Sequence, residues 1–239
     1  MLIYALDSLD AAWNLSMEEC LFRRRPLEPA FLLYRNSPSV LCGRNQLLTA
    51  ECDVSYCREQ GIGLYRRISG GGTVYHDLGN LNFCFLVPRK EYAPENFLAI
   101  LPMALSRLGV DGFAYDKRFS LKRDGFKLAG SAFALSGAAA LLHACVLVST
   151  DLQRLERVLT PTVSQGQGCL VASEPSPVTS LSRLNSTLTV QALADALFAE
   201  VDSRFGIEGE GEMPAQSEVL QYKEKFTSAS WTFREDQQT

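Results

Sequence analysis

The chain is predicted to adopt an α+β fold: a mixed, largely antiparallel sheet flanked by helices. Strand-like segments outnumber helical ones along the 239 residues. The two kinds do not alternate regularly, as they would in a doubly wound parallel sheet. Asp124-Gly125, between two strand-like runs, has the chemistry of a tight hairpin turn.

The elements follow in order. Leu2–Leu6 alternates and reads as a first strand. Residues 9–23 read as a helix, with Trp13, Met17 and Leu21 at i, i+4 spacing. Residues 31–34 and 40–42 are short strands separated by a turn at Ser37-Pro38. Residues 53–60 form a short helix that ends before Gly61. A strand over 64–68 enters a glycine-rich loop, and an alternating strand over 81–87 leaves it. Pro94 opens a helix with Phe97, Leu101, Leu105 and Leu108 on one face; Pro102 inside it predicts a kink. Strands follow at 118–122, 127–133 and 140–148, then a short helix at 151–159. Residues 160–180, rich in Ser, Gly, Gln and Pro, read as a long loop of the functional or mobile kind. Thr189 caps a helix that buries Val190, Leu193, Leu197, Val201 and Phe205. Residues 208–212 read as a solvated linker, 215–226 as a last helix and 230–233 as a final strand.

Composition narrows the function classes. At this length the chain suits one domain, taken as residues 1–239. No apolar stretch is long enough to span a membrane. The N-terminus MLIYALDSLD has neither a signal core nor a transit pattern, so a cytoplasmic location is expected. Seven cysteines without a CxxC pair, and only two histidines, predict no metal site and a reduced compartment. Cys42, Cys84 and Cys145, inside apolar runs, read as small core residues. The net charge is −4, yet residues 63–130 carry ten Lys/Arg against six Asp/Glu. A cationic site on an acidic protein fits this better than the broad basic face of a nucleic-acid binder.

The positive segment holds the sharpest motif, the run from Arg66 to Asn80: Arg-Arg-Ile-Ser-Gly-Gly-Gly-Thr-Val-Tyr-His-Asp-Leu-Gly-Asn. Glycines let a ligand approach main-chain N–H groups, and adjacent arginines supply fixed positive charge for a carboxylate or phosphate. The run therefore reads as a pocket for an acid and its phosphorylated or adenylylated form, although a glycine-rich hairpin accounts for the glycine count alone. Arg66 and Arg67, if on a strand, point to opposite faces. Ser69, Gly70, Gly71 and Gly72 would give amides and room for the ligand. His76 and Asp77 can pair to fix the loop; Asn80 can bind a phosphate or brace it. Tyr34 and the strand near Val40 can line a tunnel for an acyl chain. His143, in an apolar strand, reads as a satisfied core residue. Lys127 begins a strand of small residues that includes Gly130 and Ser131, against which a substrate can lie. Spacing alone also allows a solvent-facing lysine after a turn.

The run resembles the signature of lipoate–protein ligases and lipoyltransferases, within the biotin/lipoate protein ligase catalytic-domain superfamily. Three other stretches agree in order: 34–46 (YRNSPSVLCGRNQ), Lys127-Leu128-Ala129-Gly130-Ser131-Ala132, and Leu142-His143-Ala144-Cys145-Val146-Leu147. The ending, 222–233 with Trp231, is similar to the end of that catalytic domain. The resemblance implies the same α+β fold and makes Lys127 the lysine that contacts the activated acyl group. It also implies that Arg67 faces the ligand and that Tyr75 and its loop neighbours line the site. It further implies that lipoate and ATP, with Mg²⁺, give lipoyl-AMP. The lipoyl group would then pass to a lysine of a 2-oxoacid dehydrogenase lipoyl domain or of glycine-cleavage H protein.

Three departures matter. Family members carry an acidic residue several positions before the motif lysine; here the stretch is Lys117-Arg118-Phe119-Ser120. Cys169 precedes Val178-Thr179-Ser180-Leu181, as the nucleophile of related octanoyltransferases precedes a similar stretch, so an ATP-independent transfer through a thiol is a second reading. The chain stops where the catalytic domain should end, so the accessory domain of many ligases is expected to be absent, supplied by a separate subunit or not needed. A third reading is an acyl-binding subunit that needs a partner.

Overall fold

The computed structural model describes residues 1–24, 28–161 and 171–234. The strands are β1 (Leu2–Leu6), β2 (Ala30–Tyr34), β3 (Ser39–Cys42), β4 (Gly63–Arg66), β5 (Val74–His76), β6 (Asn80–Pro88), β7 (Ala114–Tyr115), β8 (Leu121–Arg123), β9 (Phe126–Leu135), β10 (Ala139–Leu147) and β11 (Gly209–Glu210). The helices are α1 (Ala11–Arg23), α2 (Val54–Glu59), α3 (Pro94–Leu98), α4 (Ile100–Arg107), α5 (Leu152–Val158), α6 (Leu181–Leu184), α7 (Val190–Phe205), α8 (Gln216–Thr227) and α9 (Ala229–Thr232). Among the described residues, eight strands form one sheet in the order β11-β1-β2-β6-β10-β9-β8-β7, and β4-β3-β5 form a second. β1 runs parallel to β2 and β11, and β3 parallel to β4; the remaining pairs are antiparallel. The fold is therefore the α+β class with the mixed, mostly antiparallel sheet that the sequence predicts.

The central strand β6 is buried along all nine residues, as a strand covered on both faces must be. One face packs Phe83 and Phe85 with Phe31 of β2, Phe97 of α3 and Leu101 and Leu105 of α4, beneath Leu197 and Val201 of α7. The other packs Cys84 and Leu86 with Leu32 of β2, against Leu15 and Met17 of α1 and Val219 and Phe226 of α8. The small sheet has its own core, including Val40, Leu48, Ile62 and Tyr75. Side-chain caps fix several helix starts. Asp10 Oδ1 accepts from the N–H groups of Ala12 and Trp13, and the hydroxyl of Thr189 from that of Ala192.

Five expectations are corrected. Pro102 does not kink one helix; the chain breaks at Ala99 and α4 starts afresh, which puts the proline in the first turn, where no N–H is required. The strand expected over 118–122 begins at Leu121, because Asp116 accepts from the N–H groups of Arg118 and Ser120 and closes a turn. The glycine run contains a strand of its own, β5, on the edge of the small sheet. Gly209 and Glu210 are not a free linker but add an edge strand beside β1. Residues 229–232 are helical: the Ser228 hydroxyl accepts from Trp231 N–H, and the last turn docks on Arg66.

Candidate functional site

The glycine loop is held by the two arginines, which do different work. Arg66 is 1% exposed. Its guanidinium donates to the carbonyls of Gly43, Arg44, Gln46, Trp231 and Thr232, tying the C-terminal turn to the loop after β3. Arg67 donates to the carbonyls of Leu41, Gly70 and Gly72 at 2.6–2.7 Å and to Ser69 Oγ at 2.9 Å. It therefore folds the loop around itself while its side chain also lines a cavity. Burial lowers its pKa to about 10, so it keeps its charge at neutral pH. Gly71 needs its positive φ of 84°, and Gly43 lies where any Cβ would meet the Gly71 carbonyl at 2.1 Å.

Behind the loop runs a chain of buried polar groups. Ser69 Oγ lies 2.7 Å from His143 Nε2, and His143 Nδ1 lies 2.9 Å from a Glu18 carboxylate oxygen. Tyr34 also donates to Glu18, at 2.8 Å. The Glu18 carboxylate only accepts, so Nδ1 donates to it, and Ser69 Oγ, which also accepts from Arg67, completes the chain at Nε2. His143 is thus satisfied, as its sequence context suggested. The expected His76–Asp77 pair does not form. Asn36 Nδ2 donates to His76 Nδ1 at 3.0 Å, and Asp77 accepts from the N–H groups of Gly79 and Asp151. His76 Nε2 must then carry the hydrogen, and it is buried with no partner among the described residues. Burial, with the charge of Arg67, drives the His76 pKa down to about 3, so the ring is neutral.

Lys127 stands where β9 begins, gripped by its backbone: its N–H donates to the Pro177 carbonyl and its carbonyl accepts from Thr179 N–H. Its ammonium has no hydrogen bond or ion pair among the described residues. Burial lowers its pKa. Two cavities meet at this side chain. The smaller, about 380 Å³, lies between the sheet and the glycine loop. Its wall includes Tyr34, Leu41, Arg67, Gly71, Gly72, His76, Asn82, Gly130, Ser131 and His143. The larger, about 780 Å³, opens toward α5 past Tyr75, Leu147, Leu155 and the segment Ser173–Val178. Gly130 is on both walls; a Cβ there would meet Lys127 Nζ at 2.8 Å.

Of the residues singled out from sequence, Asn80 and Ser69 line neither cavity. Asn80 accepts from Asp77 N–H and Thr150 Oγ1 and its amide approaches Cys145 Sγ at 3.0 Å, so it braces the loop. Gly70 likewise serves through its carbonyl, which Arg67 holds. Cys169 lies outside the described residues. Cys145 is corrected: it is not core but half-buried on both cavity walls. Residues the sequence reading passed over include Glu18, Asn36, Asn82, Asp116 and Ser173. Asp116 supplies on the smaller cavity's wall the carboxylate that Ser120 lacks. Burial pushes its carboxyl up, but the Ser120 N–H, Lys122 and the Arg118 N–H outweigh that and hold it low. Asn82 carried a legible signal: Asn80 and Asn82 mark one face of an otherwise apolar strand.

The loop of paired arginines and glycines thus faces, across the smaller cavity, a lysine whose ammonium has no partner among the described residues. Residues 10–202 match the lipoyl protein ligase A/B catalytic domain, and the chain belongs to that family. It is 37% identical over 206 residues to the human mitochondrial lipoyl amidotransferase LIPT1, covering 83% of this chain and 54% of that protein. It is 31% identical over 237 residues to lipoate-protein ligase A of Bdellovibrio bacteriovorus, covering 96% of this chain and 70% of that one. It thus spans about half the length of some curated relatives. Its fold matches P. falciparum LipL1, solved with lipoate, with a TM-score of 0.85 at 25% identity over 98% of this chain and 74% of that one. Among the described residues, no helix is long and apolar enough to cross a membrane.

Proposed function

We propose that the chain attaches a lipoyl group to a lysine of a lipoyl-domain protein, activating lipoate with ATP to lipoyl-AMP first. The observation that carries this reading is the unpartnered ammonium of Lys127 at the junction of two cavities. A molecule with an acyl arm, a central anionic centre and a second bulky arm suits that layout. The acyl chain goes to the smaller cavity, beside Tyr34, Leu41 and Val74. The nucleotide goes to the larger, beside Tyr75 and the Ser173–Val178 segment. The mixed anhydride between them lies at Lys127, where positive charge stabilises the charge that develops during transfer, commonly worth about 3 kcal/mol per group. Mg²⁺ arrives with the phosphates and asks little of the protein, typically one or two carboxylates; Asp116 and Glu174 on the cavity wall are of that kind. The E2 lipoyl domain and H protein are the proposed acceptors, the cytoplasm the proposed location, and a separate accessory subunit the proposed partner in the first half-reaction.

A second reading keeps the fold and the acceptor but takes the acyl group from acyl carrier protein without ATP. It is favoured by Cys169 ahead of Val178-Thr179-Ser180-Leu181. One experiment separates the two. The protein is incubated with an apo lipoyl domain and either lipoate with Mg·ATP or octanoyl-acyl carrier protein, and the acceptor is weighed. Modification only with lipoate and ATP is the result expected. Modification only from the carrier protein overturns the ligase in favour of the transferase.

A further inference from the structure

One hydroxyl joins the end of the glycine loop to the segment that grips Lys127. Ser173 Oγ accepts from Thr73 N–H and from Gln46 Nε2, each at 2.9 Å. The Gln46 side chain closes the knot: its Oε1 accepts from Gly43 N–H at 3.0 Å and from Thr73 Oγ1 at 2.9 Å. Ser173 N–H donates to Glu51 Oε1 at 3.1 Å, and both Glu51 and Gln46 are buried. Glycine at position 72 allows the close approach, because a Cβ there would meet Ser173 Oγ at 2.9 Å. Further along the same segment, Val178 pairs with Lys127: the Pro177 carbonyl accepts from Lys127 N–H at 2.8 Å, and Thr179 N–H donates to the Lys127 carbonyl at 2.9 Å. The link between the two attachments is Glu174-Pro175-Ser176-Pro177. Each proline fixes its own φ and holds the residue before it extended, so the link is a stiff spacer. Ser173, Glu174 and Ser176 wall both cavities.

We propose that Ser173 is a positioning residue of acyl transfer, whose hydroxyl sets the glycine loop in register with Lys127. This rests on the acyl-transfer reading of the site. Lys127 belongs to the large sheet, whereas the loop leads into β5 of the small one, so no strand pairing fixes one against the other. The start of the loop is anchored to the large sheet: Gly70 N–H donates to the Phe133 carbonyl, and Ser69 Oγ meets His143. Its end, at Thr73, is held by Ser173 and by Gln46. A hydroxyl suits the task because one oxygen accepts two bonds at once. Alanine accepts none there, which leaves the Thr73 N–H and the Gln46 amide of two buried residues to find other partners by moving. Each cavity keeps most of its own wall, so both arms of the ligand still bind. What shifts is the loop against the ammonium, and a misplacement of about 1 Å costs roughly a hundredfold in rate.

The test uses the whole chain and follows the mass of an apo lipoyl domain with time. Synthetic lipoyl-adenylate is the donor in one arm and octanoyl-acyl carrier protein in the other. Wild type is compared with Ser173→Ala, Gln46→Ala and the double variant. With the donor that wild type uses, Ser173→Ala should lower kcat about tenfold to a hundredfold, with a much smaller change in the donor KM and a melting temperature near that of wild type. The double variant should be little slower than the slower single one, as befits two residues of one network. Gly72→Ala, which crowds the hydroxyl without removing it, should show the same loss in kcat and decides the matter if Ser173→Ala does not fold. A wild-type kcat in the deciding variant overturns the proposal. So does a loss confined to KM, which makes Ser173 a plain binding contact, or losses that multiply in the double variant. Each of these leaves the acyl-transfer reading standing. No modification of the acceptor by the wild-type protein from either donor overturns that reading, and this proposal with it.

Discussion

The two faces of the large sheet are made by alternate residues of the same strands, and they have opposite characters. Along β6, Leu81, Phe83, Phe85 and Val87 enter the helix-covered core, whereas Asn80 and Asn82 belong to the loop side. The helix side is closed by aromatic packing: the Phe85 ring lies 4.9 Å from both Phe31 and Phe97. The loop side keeps a cavity and, among the described residues, an unpaired cation and buried polar atoms without partners. The strand pleat thus separates stability from chemistry at the Asn80–Asn82 end of β6, while Cys84 and Leu86 further along the second face pack against α1 and α8. Asn82 Oδ1 and His76 Nε2 are buried without a partner among the described residues, a cost that the apolar packing of the opposite face offsets.

That contrast can be broken from either side. Phe85→Ala should have the largest effect, a loss of about 3–5 kcal/mol of stability. Chemical denaturation reads this; the folded fraction should still bind lipoate as the wild-type protein does, and a lost affinity would show that the faces are coupled. Lys127→Ala should cost about 3 kcal/mol of transition-state stabilisation, roughly a hundredfold or more in rate. Its melting temperature should not fall, because the ammonium has no partner to lose among the described residues; a large drop would make the lysine structural.

The next effect is on pH dependence. The folded pKa of His76 is depressed to about 3 from 6.5. The unfolded chain therefore binds more protons between those values. Stability from this group is complete above about pH 6.5 and is lost as pH falls toward 3, by about 2 kcal/mol at pH 5. Urea midpoints at pH 7.5 and 5 should show that slope, and His76→Asn should flatten it. An unchanged slope in the variant would remove His76 from the account. The smallest effect is predicted for Gly130→Ala. A Cβ would meet Lys127 Nζ and Cε at 2.8 and 2.9 Å, both at the far end of a flexible side chain. Activity should fall about tenfold with little change in melting temperature. Full activity would mean that the position of the ammonium is not critical.

Much of this was legible in residue order. Periodicity located α1, and periodicity with the Thr189 cap located α7; these are local signals. The pairing of β1 with β11, and the docking of the turn after Ser228 on Arg66, were not legible, because each depends on a partner about 165–205 residues away. In the site, the glycine loop and Lys127 stand out because their residue types and spacing are unusual. Glu18 does not: on α1 it reads as another solvent-facing acid, and only the fold brings it to His143, 125 residues further on.

The sequence by itself determined the α+β class, the glycine-rich loop beside two arginines, and the lysine motif, because these are local properties of side-chain type and spacing. Tertiary structure decided how the residues divide the labour. It turned Arg66 toward the C-terminal turn and Arg67 into the glycine loop, gave Asn80 to bracing, left His76 Nε2 open, and moved Cys145 from the core to the wall beside Lys127. Which partner a buried polar group finds is set by strand register and by the sheet that folds over it, and no window of neighbouring residues contains that information.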